Sequence, residues 1–282
     1  MTKKTTEKKH YLRTGIIFFI ILIISTGLYA RYIGTTGLNV KEYIITHDKL
    51  TSNFDGLKIV HFADLHYGTT VFLPEVEHMV EKFNSLRPDI IVFTGDLIDI
   101  HYDISEESLD NLIAVFNKIE SPIASFMVRG NHDQGDAFTR IAEETDFRLL
   151  VNEHELFFFG GDTPLAIVGL DDPYSGNQDI NAAFEGLNEE YYSIVIAHQP
   201  DVFNQLGDLP VDLFLAGHSH GGGIRLPFIG SLIRNYGSSV FHNAHYQIGN
   251  TEIFVSSGIG TGRYPFRLFN RPSINFYRFS AQ

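Results

Sequence analysis

The chain has 282 residues, 44% of them hydrophobic, which is enough for a sizeable core in one large or two small domains. It has no cysteine, so disulfides, thiolate zinc sites and thiol nucleophiles are excluded, and any metal must be held by nitrogen and oxygen. The formal net charge is -13; the first fourteen residues set Lys3, Lys4, Lys8, Lys9 and Arg13 against Glu7, or +4, leaving -17 on a body too acidic to be a good non-specific partner for nucleic acid.

Behind this basic tail (1–14), the run from Gly15 to Ala30 carries no charge, and Tyr29, Tyr32 and Ile33 extend it toward the ~20 residues that span a bilayer as a helix. Leu28-Tyr29-Ala30 is a poor cleavage site, because leucine stands where a small residue is needed. Residues 15–33 therefore read as a transmembrane anchor or uncleaved signal rather than a removed one. A buried core helix fits less well, since the run is apolar all round and follows a polar tail. The basic side stays cytoplasmic, which places the rest of a single-pass cell-membrane protein outside. No twin-arginine pair signals export of a folded domain.

Gly34 to Leu38 reads as a linker, and the body (34–282) begins its structure near Val40. Leu57–Phe62 is a buried strand. Pro74–Leu86 has helical spacing at Val76, Met79, Val80 and Phe83, with proline where a first turn accepts it. Asp89–Thr94 is the next strand, Ser105–Ile119 a helix with Leu109, Leu112, Ile113 and Phe116 on one face, and Pro122–Val128 a third strand. This alternation predicts parallel pairing through right-handed crossovers. Leu156–Phe159 and Leu165–Leu170 flank a Gly-Gly-Asp-Thr-Pro turn as a hairpin, Asn177–Leu187 is a helix, and Tyr192–Ala197 and Val211–Ala216 are buried strands. From Thr251 the alternation of Ile253 with Val255, and of Ile274, Phe276 and Phe279, predicts antiparallel strands. The fold class is mixed α/β with two sheets in layers.

Four of these strands run into polar clusters: Asp64-Leu65-His66, Gly95-Asp96-Leu97-Ile98-Asp99, Gly130-Asn131-His132-Asp133 and Gly217-His218-Ser219-His220; a fifth runs into the lone His198. One such residue alone is better read as a capped strand end or a satisfied core histidine. Five strand ends carrying carboxylate, amide and imidazole point instead to one centre with nitrogen and oxygen ligands, suited to Mn, Fe or Zn rather than Ca. A two-cation site of this kind activates water and holds both the attacking and leaving oxygens of a phosphoryl group.

The blocks D-x-H, G-D-x-x-D, G-N-H-D, H and G-H-x-H, all present in order over Asp64–His220, resemble those of the calcineurin-like metallophosphoesterase superfamily. Gly221-Gly222, Ala197-His198-Gln199-Pro200-Asp201 and Asn131-His132-Asp133 are similar to its bacterial membrane-associated branch of phosphodiesterases and UDP-2,3-diacylglucosamine pyrophosphohydrolases. The resemblance implies a two-sheet sandwich flanked by helices (αββα) over residues 34–282, and two divalent ions. It places Asp64, His66 and His220 on one ion, Asn131, His198 and His218 on the other, and Asp96 between them. It gives His132 contact with substrate and protonation of the leaving oxygen, with Asp99 orienting it. The implied reaction is in-line attack on phosphorus by a metal-bridging hydroxide. Chain geometry agrees on one point: adjacent side chains diverge, so His132 is ill placed to share a metal with Asn131. For Asp99 a turn cap is the competing reading.

Departures from relatives bear on the substrate. Ile100 stands where the serine/threonine phosphatases of the superfamily carry a phosphate-clamping arginine, and Asp99 where purple acid phosphatases have a tyrosine ligand. This favours phosphodiesters or pyrophosphates, lipid-linked ones included, over monoesters. Gly223 replaces a glutamine and Ser273 a glutamate common in the membrane-associated branch, which loosens substrate assignment by analogy. A nucleotide-lipid pyrophosphatase would have to face the cytoplasm, against the tail charges. A silent metal-binding membrane protein would be expected to lack ligands, and none is missing. His61, His78, His101, His154, His242 and His245 are left outside the centre. Arg263, Arg267, Arg271 and Arg278, alternating with Tyr264, Phe266, Phe269 and Phe276, read as solvated arginines on an amphipathic strand region, or as a surface for anionic headgroups. Ile224–Phe228 is a candidate pocket wall, with Arg225 packed or meeting a phosphate.

Overall fold

The computed structural model describes residues 2–281, with side chains from His10 onward; the lysines of the basic tail lie outside the described side chains. Helix α1 (Thr2–Leu28) continues in wider turns over Tyr29–Ile33. His10–Ile33 is long and apolar enough to cross a membrane, and only Ala30 within it is buried against the rest of the chain. An apolar helix with no protein core to cover it points to membrane association.

The first sheet contains β1 (Asn39–Ile45), β2 (Lys58–Phe62), β3 (Ile90–Phe93), β4 (Ala124–Met127) and β5 (Phe147–Leu149), together with the last strand, β14 (Ser273–Phe279). Its order is β1-β14-β2-β3-β4-β5. The second contains β6 (Glu153–Phe158), β7 (Pro164–Gly169), β8 (Tyr192–Ala197), β9 (Leu213–Ala216), β12 (His245–Ile248) and β13 (Thr251–Val255). Its order is β12-β13-β9-β8-β7-β6. A two-stranded hairpin, β10 (Arg225–Leu226) with β11 (Gly230–Ser231), stands apart from both.

The strands are apolar at both parities because both faces of each sheet are covered. Val60, Phe62, Ile91 and Phe93 face α2 (Leu73–Leu86), α3 (Glu106–Phe116) and α4 (Asp136–Glu144). Ile59, Ile90, Val92 and Phe126 instead meet Ile167, Ile194, Ile196 and Leu215 of the other sheet. Val195, Phe214, Ile253 and Val255 cover the far side with Ala183 and Phe184 of α5 (Ile180–Phe184). The layers are therefore αββα. Pro74 sits in the first turn of α2, and the Ser105 hydroxyl caps α3 by accepting from Ser108 N.

Several expectations change. The helix foreseen over 177–187 is a short piece, capped at Asp179 and followed by Gly186 at φ 78°. The C-terminal strands are not simply antiparallel: β13 runs parallel to β9, and β14 runs parallel to β1 while antiparallel to β2. Phe279 does not share a face with Ile274 and Phe276; it joins Tyr277 between the sheets. Arg267 is not solvated but 1% exposed, donating to the carbonyl oxygens of Gly258, Gly260 and Asn270. Arg225 packs against Gly221 O and the Asn243 side chain, and of the Ile224–Phe228 segment only Ile224 lines the cleft described below.

Candidate metal centre

β2, β3, β4, β8 and β9 all end at the same edge of the sandwich, so their following loops converge. Gly95 and Gly130 permit this. A Cβ on Gly95, which has φ 89°, would lie 2.4 Å from Gly130 N, and one on Gly130 would lie 2.3 Å from Asp96 Oδ1. The turns are tight enough to force side-chain-bearing residues into the left-handed region. Among the described residues nine non-glycines have positive φ, and five of them are Asp64, His66, Asp96, His218 and His220. Each such residue costs on the order of 1–3 kcal/mol and persists only where its surroundings hold it.

All nine residues singled out in the sequence meet here. Asp64, His66 and His220 place one ligand atom each within 4.8 Å of one another, and so do Asp96, His198 and His218. Asp96 Oδ2 stands between the groups, 3.4 Å from His66 Nε2 and 3.3 Å from His198 Nε2. Asn131 Oδ1 is 3.2 Å from His198 Nε2. Asp99 Oδ2 accepts from His66 Nδ1 at 3.2 Å and lies 3.6 Å from His132 Nδ1, so it serves His66 more directly than the imidazole it was expected to orient. His61 is buried elsewhere, bonded to Tyr277 and Thr94, and His245 pairs with Glu252 on the surface.

Hydrogen bonds on the far side of each ring set the tautomers. His66 Nδ1 donates to Asp99, His198 Nδ1 donates to Thr94 O at 2.7 Å, and His218 Nε2 donates to Tyr236 O at 2.7 Å. Their remaining nitrogens therefore bring lone pairs to the centre, the arrangement in which outer partners fix metal-binding imidazoles. His198 Nε2 then faces three other acceptors: His218 Nδ1 at 3.1 Å, Asn131 Oδ1 at 3.2 Å and Asp96 Oδ2 at 3.3 Å. His66 Nε2 likewise lies 3.1 Å from His220 Nε2. Neutral rings this close need a cation or a proton among them, and about 3 Å is the edge expected between ligands each ~2.1 Å from one metal. Asp64 Oδ2 and His220 Nδ1 are buried with no hydrogen-bond partner. These residues fit a pair of divalent cations.

The pull on positive charge also shows in proton affinity, where a proton takes the place of a cation. Burial opposes charge on His66 and His198, yet contacts with Asp96, reinforced by Asp99 at His66, carry them up to about 9 and about 10. Burial pushes Asp96 up, but the two imidazoles outweigh it and hold the carboxyl well below the usual range. The centre is thus a place of strongly negative potential. His218, by contrast, is lowered to about 4, mainly by burial and then by His198.

His132 is different. Its Nδ1 accepts from Ile100 N at 3.1 Å, so the neutral ring carries its proton on Nε2. Burial lowers its pKa. The ring lines a cleft of about 720 Å³ together with His66, Asp96, Asn131, His218 and His220. Beyond these candidate ligands the cleft is lined by Tyr174, Arg234, Tyr236, Arg263, Tyr264 and Phe266.

Two supporting carboxylates were not singled out from sequence. Asp133 accepts from Asp96 N, Leu97 N and Gly130 N at 2.7–2.8 Å, lacing two ligand loops together. Burial and Asp96 push it up to about 7 while these N–H donors pull it down. Its signal was present, as the fourth residue of Gly130-Asn131-His132-Asp133. Asp172 accepts from Gln199 Nε2 and from Ser175 N, each at 2.8 Å, while the Ser175 hydroxyl donates to Gly130 O. It sits past the end of β7, another strand-end carboxylate.

The sequence profile described as calcineurin-like phosphoesterase matches residues 57–222. An uncharacterized metallophosphoesterase of Bacillus subtilis, YkuE, is 32% identical over 253 residues, 88% of each chain. One from Helicobacter pylori is 30% identical over 279 residues, covering 96% of this chain and 70% of that one. A Danio rerio protein named as a transmembrane protein with metallophosphoesterase domain is 27% identical over 251 residues, 83% of this chain and 56% of its own. The profile spans every block from Asp64 to His220, and this chain is therefore a member of the calcineurin-like phosphoesterase family and a phosphoric ester hydrolase.

Proposed function

We propose that this chain is a single-pass, N-terminally anchored hydrolase that cleaves a phosphodiester or pyrophosphate at a dinuclear metal centre in the domain formed by residues 34–282. The observation that carries this reading is Asp96 Oδ2, within 3.4 Å of a ring nitrogen from each ligand group. Asp64, His66 and His220 would hold one cation, Asn131, His198 and His218 the second, and Asp96 both. The N/O-only donor set suits Mn, Fe or Zn. The chemistry such a pair supplies is charge neutralisation at phosphorus and an activated water.

The chain's own residues do the rest. Asp99, by accepting from His66 Nδ1, keeps the opposite nitrogen a lone-pair donor. Asp133 fixes the loops that carry Asp96 and Asn131. His132 offers Nε2–H to the cleft and gives that proton to the departing oxygen, the role of a positioned general acid. Ile100 leaves no guanidinium beside the reacting group, while Arg234 and Arg263 line the cleft beyond the ligands, where they suit a second charged group of the substrate. The basic tail keeps α1 oriented with the body outside the cytoplasm.

A second reading, a UDP-diacylglucosamine-type pyrophosphatase facing the cytoplasm, is favoured by Tyr174 and Tyr236 at the cleft, with centroids 5.3 Å apart, as a stacking platform for a base. Reporter fusions at the C-terminus decide the side. The main reading is tested by Asp96→Asn, which is expected to lose bound manganese and hydrolysis of bis-p-nitrophenyl phosphate together. Full metal content with full turnover would remove the bridge.

A further inference from the structure

The membrane-spanning helix does not end in a free linker. Ala30, near its end, is 5% exposed, and its carbonyl oxygen accepts from Arg267 N at 2.9 Å. A Cβ on Gly34 would come within 1.9 Å of Arg267 O, so the two segments are in close backbone contact. The next residue, Leu268, accepts from Arg225 N at 2.9 Å and donates to Gly223 O at 3.2 Å. Helix end, loop and hairpin base are thus joined like adjacent strands, which keeps β10 within about 15 Å of Ala30.

This joint sets the depth of the hairpin. The run from Gly15 to Ile33 is about 28 Å long as a helix, roughly the hydrocarbon thickness of a bilayer, so Ala30–Ile33 lies at its boundary. What surrounds the joint is unusually apolar for a protein surface. Phe228 at the hairpin tip is fully exposed, Ile229 is 70% exposed and Phe269 67%, with Leu232 and Tyr264 also outside. Phe228 adopts φ 66°, which a bulky residue rarely does. Charge adds a second argument. The body is acidic, yet from Leu213 to Gln282 six arginines face one acidic residue, Glu252. Arg234, Arg263 and Arg271 are exposed near the hairpin and loop. Exposed apolar side chains edged with arginine match the interface of an anionic bilayer.

We propose that the hairpin Arg225–Ser231 and the loop Tyr264–Phe269 form a second membrane contact that seats the mouth of the cleft on the lipid surface. Ile224, Arg263, Tyr264 and Phe266 belong to these segments or adjoin them and also line the cleft. A lipid-borne anionic phosphate can therefore enter along the bilayer plane, with its chains left in or near the lipid. The inference rests on the anchored-hydrolase reading above and specifies its substrate class as lipid-borne.

The chain has no tryptophan, so one introduced indole is an unambiguous reporter. Phe228→Trp, and separately Ile229→Trp, are placed in the full chain reconstituted into phosphatidylcholine–phosphatidylglycerol vesicles, with and without brominated acyl chains. Phe158→Trp, 60% exposed and paired with Pro164 at the opposite end of the second sheet, is the control. Emission from the hairpin reporters is expected to shift to shorter wavelength and to be lost to bromine, while the control stays aqueous and open to iodide. Hairpin reporters as aqueous as the control overturn the proposal, and so does a shift to shorter wavelength without loss to bromine, the signature of a protein partner covering this face. Retention of the chain after alkaline carbonate reports the anchor independently, and bis-p-nitrophenyl phosphate turnover by the same vesicles reports the hydrolase. Retention and turnover without quenching would sink the hairpin contact alone.

Discussion

Asp99→Asn separates two roles that one carboxylate could play. Asp99 Oδ2 takes the His66 Nδ1 proton at 3.2 Å, and Oδ1 takes His101 N at 3.0 Å. Toward His132 it acts only as a charge 3.6 Å away, because Ile100 N already donates to that ring nitrogen. Asparagine keeps the shape but removes the charge that would make His66 a better donor to metal. Loss of such an outer partner costs about 10–100-fold in metal affinity, or about 1.4–2.8 kcal/mol. Manganese titration of metal-free protein measures this, alongside bis-p-nitrophenyl phosphate turnover at saturating metal. The expected result is weaker binding with turnover largely restored by excess manganese. Unchanged affinity with turnover lost at every metal concentration would refute the reasoning and return Asp99 to His132.

His132→Ala should keep its metal content and lose about 10²–10⁴-fold in turnover on the same diester, the usual contribution of a general acid. Unaltered turnover would take His132 out of the reaction. Lys41 gives a test of stability. It is held at about 8, against 10.5 for a free lysine, first by burial and then by Arg267 and Arg225, while its ammonium donates to Ser257 Oγ. Between those pH values the unfolded chain binds the proton that the folded one has released, so stability rises with pH across the window, and below about 8 the full cost is present. Lys41→Met should flatten that rise and stabilise the neutral-pH fold by at most about 3 kcal/mol, less the lost hydrogen bond. Chemical denaturation at several pH values reads both effects; an unchanged slope would show that Lys41 titrates alike in both states.

The centre was legible in sequence because its residues follow buried strands directly. An apolar run such as Ile90–Phe93 fixes where the chain surfaces, and Gly95 and Asp96 must then stand at the sheet edge. The layered α/β class was legible for the same reason. What was hidden depends on partners remote in sequence. Nothing near Asn39–Ile45 announces that it pairs with Ser273–Phe279, or that β13 lies beside β9 in parallel. Arg267 looked solvated because its burial is satisfied wholly by loop carbonyls, which leave no pattern in composition. Asp99 could be placed near an imidazole, but choosing between His66 and His132 required their ring orientations.

The junction of β1 with β14 has a consequence for biogenesis. Glu42 and Arg278, 236 residues apart, face each other across it, and β14 is also the strand that joins β1 to β2. Until β14 has been synthesised, β2 has an open margin and the segment just past the anchor has nothing to bind. The helix can enter a bilayer early, whereas the first sheet cannot close before β14 emerges. Such long-range closure is slow to fold. The nascent body therefore stays loose until its last strand has been made.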